Sequence, residues 1–137
     1  MKPYSLYFEY TSFGFGDLIL FSGEDQLFAW LARSGNVHDN RLKDAIEPGD
    51  YEMISAPVKP APSEHNSMFI HGLGGHGWKW RIGDSSLLIH PDGNKPGTMG
   101  CVGTQNTNAM GLYYFGMWQF EINPDAVIPF KVRRSGI

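Results

Sequence analysis

Short aromatic and branched runs, each cut off by glycine or proline, constrain this chain more than any other feature. The run YSLYFEY (4–10) alternates in part and reads as a first strand. Two further runs, DLILFSG and EDQLFAWLARSG, meet at Ser22-Gly23-Glu24-Asp25, a hairpin turn between apolar stretches. Pro48-Gly49 then starts DYEMIS (50–55) as another strand. Residues 55–67 carry Pro57, Pro60 and Pro62, which cannot pair inside a sheet, so they are expected to form a long surface loop. MFIHG (68–72), WKWRI (78–82) and SLLIH (86–90) predict three more short strands. VIPFKV (127–132) closes the set as an expected edge strand, because Pro129 has no N–H to give a central ladder. Met110, Tyr113, Tyr114 and Met117 are spaced for one helix face, although Gly111 and Gly116 weaken it and YYFGMWQFEI is also readable as a strand. With 17 glycines, 9 prolines and 14% aromatics in 137 residues, the expected architecture is a single mainly β domain over 1–137, with one short helix and long loops.

Charge and cysteine usage then remove whole classes of function. One cysteine makes no internal disulfide and no cysteine-built zinc site. Eleven Lys and Arg against 14 Asp and Glu argue against a nucleic-acid binder, which needs concentrated positive charge. No window approaches 18 consecutive apolar residues, so no membrane span is expected. The start, MKPYSLYFEY, lacks the apolar stretch of a secretory signal, so the chain is expected to be made in the cytoplasm without a signal peptide.

The chemistry concentrates in Leu88-Ile89-His90-Pro91-Asp92-Gly93-Asn94-Lys95-Pro96-Gly97-Thr98-Met99-Gly100-Cys101-Val102-Gly103. A strand delivers His90, a polar Gly/Pro loop follows, and the single cysteine comes eleven residues later behind a glycine. That loop is long enough to fold back and set imidazole beside thiol. A thiol nucleophile works as the thiolate, and a neighbouring imidazole makes it by taking the proton. Gly100 leaves the backbone open, so amides near Cys101 can face a developing oxyanion. The residues by themselves equally fit a small buried cysteine and a hydrogen-bonded structural histidine.

The same segment resembles a known signature. IHPDGNKPGTMGCVG is similar to the L,D-transpeptidase catalytic domain, where Ile-His precedes a Ser/Thr-x-Gly-Cys-Ile/Val block. GDLILFSGEDQLFAWLARSG followed by IEPGDYEM resembles that family's opening hairpin and the Pro-Gly-x-Tyr turn before its next strand. The likeness covers roughly residues 10–132. The short His-to-Cys loop most resembles the compact members delivered as antibacterial type VI secretion effectors. This resemblance implies an L,D-transpeptidase-like β-sandwich, with Cys101 as nucleophile and His90 as base and then acid. It implies that the Pro91 carbonyl orients the imidazole, that the Thr98 hydroxyl supports the site, and that the amides of Gly100 and Cys101 hold the oxyanion. The implied substrate is the peptidoglycan stem peptide, cleaved at an L,D bond, with water, a stem amine or a D-amino acid as acceptor. No metal or organic cofactor is implied. Action in the periplasm or cell wall, an immunity protein and a secretion-machine component follow as expected location and partners. Two positions depart from the pattern. Met99 stands where many members carry a second His, and Gly103 stands where many carry Arg. Arg33, Arg81 and Lys79 are the candidates for that missing cation.

Other residues invite weaker readings. His65, His71, His76 and His90 suggest a metal, but no H-E-x-x-H helix or carboxylate cluster accompanies them. His71, in Ile70-His71-Gly72, is the second choice for the base, 30 residues before Cys101. His71 and His76 are otherwise expected to line the substrate groove with Trp78, Arg81, Asp92 and Met99. Trp78 and Trp80 alternate with Lys79 and Arg81, giving one aromatic and one basic strand face. The rival from another class is a non-catalytic β-sandwich binding module with Cys101 in its core.

Overall fold

The computed structural model describes residues 3–11, 14–35, 45–55, 80–85, 87–91, 98–104 and 110–135. Eight strands and one helix follow one another: β1 (Tyr4–Tyr10), β2 (Phe15–Ser22), β3 (Asp25–Gly35), β4 (Gly49–Ile54), β5 (Trp80–Ile82), β6 (Leu88–Pro91), β7 (Thr98–Thr104), α1 (Met110–Ile122) and β8 (Val127–Arg134). The strands close on themselves in the order β1-β2-β3-β7-β6-β5-β4-β8. The ring is compatible with the expected sandwich, its two layers joined at both edges.

Alternation builds the regular part of this ring. Leu6, Phe8 and Tyr10 of β1 point inward with Leu18 and Leu20 of β2 and Ile128, Phe130 and Val132 of β8. The β2–β3 hairpin turns where its sequence said it should. Ser22 pairs with Asp25, and Gly23 takes φ 59°, the left-handed conformation that a two-residue hairpin loop demands.

The helix lies against the inward-facing tryptophans. Leu112, Gly116 and Phe120 make its buried face, with the Phe120 ring 5.0 Å from that of Trp80. A side chain at Gly116 would fall on the Trp80 indole, which explains a glycine in mid-helix despite its cost. The helix thus prevails over the strand reading of the same residues. Its buried face is not the expected stripe, however, since Tyr114 and Met117 are exposed.

Three other expectations change. The strand carrying Pro129 is not an edge, because β8 lies between β1 and β4. Pro129 is tolerated because the β1 ladder begins one residue later, at Phe130. The strand expected over 86–90 runs from Leu88 to Pro91, and the described part of the one expected over 78–82 begins at Trp80. Residues 98–104 contain two glycines and no clear alternation, yet they form β7. MFIHG and nearly all of the proline-rich stretch fall outside the described residues.

Candidate active site

Parallel pairing of β6 with β7 places His90 and Cys101 on adjoining strands. Ile89 pairs with Val102 and His90 with Gly103. Residues in register share a face of the sheet, and successive residues alternate between faces. Ile89 and Val102 belong to the core, so His90, Gly103 and, by alternation, Cys101 and Leu88 lie on the outward face. Cys101 and His90 are therefore diagonal neighbours on adjoining strands. Backbones in that relation stand roughly 7–8 Å apart, within reach of long side chains.

The flanking strands complete this face. On one side Arg33 of β3 is in register with Gly103, forming a row Arg33, Gly103, His90. On the other, Arg81 of β5 pairs with Leu88, the residue whose N–H meets the Cys101 sulfur. Outward residues of an antiparallel sheet ordinarily meet water, yet Arg33 is 1% and His90 3% exposed. The Arg33 guanidinium carbon sits 5.0 Å from the centre of the Phe15 ring, a cation–π contact between neighbouring strands. Arg81 is exposed.

Cys101 occupies an irregular stretch of β7. The β3 ladder passes from Arg33–Gly103 to Gly35–Thr98, so two steps on β3 face five on β7. Such a bulge re-aims side chains and takes backbone amides out of the regular ladder. The thiol is half-buried, and the Leu88 N–H donates to its sulfur at 3.4 Å. Burial pushes the Cys101 pKa above its ordinary value, and the Leu88 hydrogen bond opposes that rise. Burial thus favours the neutral thiol over the thiolate.

The other expected site residues fall into two sets. Pro91, Thr98, Met99 and Gly100 all lie on β6 or β7 beside the pair, placed by their backbones, and Arg81 borders the face. His71, His76, Trp78, Lys79 and Asp92 lie outside the described residues. Trp80 is buried and Arg81 exposed, as the aromatic and basic faces of that strand required. Sequence reasoning missed the Leu88 N–H contact and the bulge. Both arise from register, and the glycines at 100 and 103 were the only signal for them. An open hollow of about 430 Å³, lined by Ser5, Tyr7, Asp50, Tyr51 and Lys131 among others, lies on the opposite wall. Among the described residues no helix is long and apolar enough to cross a membrane, and no cluster of His, Cys, Asp and Glu is placed to hold a metal ion.

No protein-family model matches this sequence, and neither does any curated protein. Solved structures do resemble it. An L,D-transpeptidase from Mycobacterium smegmatis aligns with a TM-score of 0.50 and 12% identity, over 95% of this chain and 59% of that one. L,D-transpeptidase 1 of Mycobacterium tuberculosis aligns at 0.49 and 14%, over 96% of this chain and 63% of that one. The chain thus spans less than two thirds of either protein's length. At such identities the likeness is one of architecture: this chain has an L,D-transpeptidase-like fold.

Proposed function

We propose that this chain is a cysteine acyltransferase or peptidase of the L,D-transpeptidase type, one catalytic domain over 1–137, acting on peptidoglycan stem peptides. The observation that carries the reading is the placement of Cys101 and His90 on one face of two adjoining parallel strands. In the proposed reaction His90 takes the thiol proton, and the sulfur attacks the carbonyl of the L-centre of meso-diaminopimelate. The amides of Gly100 and Cys101, in the bulged part of β7, hold the oxyanion. The protonated His90 then gives its proton to the amine of the terminal D-Ala as the C–N bond breaks, leaving a thioester on Cys101. Water completes an L,D-carboxypeptidase cycle, a stem amine makes a cross-link, and a D-amino acid gives an exchanged stem. Within this reading the Pro91 carbonyl orients the imidazole and the Thr98 hydroxyl supports it. His71, His76, Trp78, Asp92 and Met99 line the donor groove. Delivery as an antibacterial type VI effector, restrained by an immunity protein, extends the same proposal and rests on the short His-to-Cys loop.

The binding-module reading draws on one observation, the burial that keeps the Cys101 thiol protonated. Mass spectrometry of tetrapeptide muropeptides incubated with the protein, beside Cys101→Ala and His90→Ala, separates the two. Loss of the terminal D-Ala, or its exchange for an added D-amino acid, is expected only with the unaltered protein. Equal silence from all three, with a Cys101 that resists alkylation, gives the molecule to the binding reading.

A further inference from the structure

Two arginines flank the outward face that holds Cys101 and His90, and they are not equivalent. Arg33 is sealed in, 1% exposed, with the Phe15 ring against its guanidinium. A group arriving from solvent cannot reach it without opening the wall. Arg81 is exposed, and it makes no ion pair or hydrogen bond with another described residue. It is in register with Leu88, and the Leu88 N–H itself touches the Cys101 sulfur.

We infer that Arg81 is the specificity-determining residue of this site, and that it recognises a carboxylate on the acyl donor. The inference rests on the proposed acyl transfer at Cys101 and adds the chemistry and the spacing of what is bound. Two ladder steps separate the strand of the thiol from the strand of Arg81, roughly 10 Å. An extended peptide advances about 3.3–3.6 Å per residue. With its scissile carbonyl at Sγ, a donor lying across the strands advances part of that distance over one residue, and the long arginine side chain closes the rest, so Arg81 meets a carboxylate on the scissile residue or the one adjoining it. The planar guanidinium meets a carboxylate through two parallel hydrogen bonds, which a lysine ammonium or a glutamine amide does not reproduce.

The test uses the whole chain with two donors, tetrapeptide stems with free carboxylates and the same stems with those carboxylates amidated. For the unaltered protein, amidation is expected to lower kcat/KM for D-Ala release roughly five- to tenfold, carried mainly by KM. Arg81→Gln is expected to lower kcat/KM on the free-carboxylate stems by a similar factor and to treat both donors alike, while Arg81→Lys recovers only part of the difference. Arg81→Gln that still discriminates as the unaltered protein does overturns the inference. Calorimetric binding of the same two stems to Cys101→Ala, with and without Arg81→Gln, asks the question without turnover. Discrimination that is present there and lost with Arg81→Gln upholds Arg81 even where no D-Ala is released. No discrimination overturns Arg81 even where D-Ala release proceeds.

Discussion

The wall formed by β8, β1 and β2 and the wall formed by β3, β7 and β6 follow different rules. In the first, inward residues such as Leu6, Phe8, Leu18 and Val132 are buried, while outward Glu9, Asp17 and Lys131 meet water. Its ladders run through seven register pairs between β1 and β2 and five between β1 and β8 without a break. In the second, the outward face carries a buried arginine, a buried histidine and a half-buried thiol, and its β3–β7 ladder is interrupted. Burying polar groups on an outward face costs stability that hydrophobic residues there would supply. The first wall has one dry and one wet face, and the second keeps polar groups from water on its outward face as well.

That contrast predicts opposite outcomes for a substitution in each wall. Phe8→Ala removes a ring with no exposed surface, packed on Tyr10. It is expected to lower the free energy of unfolding by about 3–5 kcal/mol in urea titration, while the protein that remains folded keeps its turnover. Cys101→Ala is expected to move stability by less than about 1 kcal/mol and to cut D-Ala release by about a thousandfold or more. Equal damage to stability from both would erase the distinction between the walls.

A smaller effect is expected from raising the pH. Burial pushes Tyr10 above the ordinary tyrosine pKa, with Arg134 pulling it back and Glu47 and Tyr51 adding to the rise. Burial likewise raises Tyr51, and Cys101 moves in the same direction. Each group is neutral in the fold and ionises more readily once unfolded. The stability they contribute is therefore complete below their unfolded pKa values and is lost as pH rises through the folded ones. The melting temperature is expected to hold between pH 7 and 8 and to fall steeply beyond about pH 10. The Tyr10 hydroxyl also donates to the Ile46 carbonyl at 2.8 Å. Tyr10→Phe is expected to cost about 1–2 kcal/mol at neutral pH and to flatten part of the alkaline fall. An unchanged alkaline slope in that variant would assign the fall to Tyr51, Cys101 and Tyr7, the last raised chiefly by its hydrogen bond to Glu9.

The same contrast explains how far the sequence could be read. The first wall obeys period-two alternation and hairpin chemistry, so its strands were legible as the runs 4–10, 17–23 and 127–132, each within two residues of its observed ends. Only the neighbours of β8 were misjudged, because the start of a partner's ladder, which excuses Pro129, is a property of register. In the second wall Gly100, Gly103 and the buried polar residues erase alternation, and β7 was invisible as a strand. The expectation that His90 and Cys101 lie near one another came from spacing and from a signature, and the register of β6 with β7 sets the two on adjoining strands. Which arginine shares a row with which residue was not legible, since Arg33 and Gly103 are brought into register by strands far apart in sequence.

The smallest expected effect concerns an arginine on the regular wall, and it sharpens the role given to Arg81. Arg133 of β8 reaches Asp50 of β4 at 3.1 Å, with side chains 39% and 78% exposed. Its guanidinium also donates to the carbonyls of Gly49 at 3.2 Å and Val132 at 2.8 Å, so backbone contacts hold it when the carboxylate is lost. Asp50→Asn is therefore expected to change stability by no more than about 0.5 kcal/mol, and by less in high salt, where exposed pairs are screened. Arg81→Gln is expected to be equally mild in a melting experiment, since Arg81 has no described partner to lose. The two differ in one readout only. Discrimination between carboxylate and amide donors is expected to survive Asp50→Asn and to vanish with Arg81→Gln. If Asp50→Asn also abolished it, the donor would be sensing net charge at long range rather than one guanidinium beside the thiol.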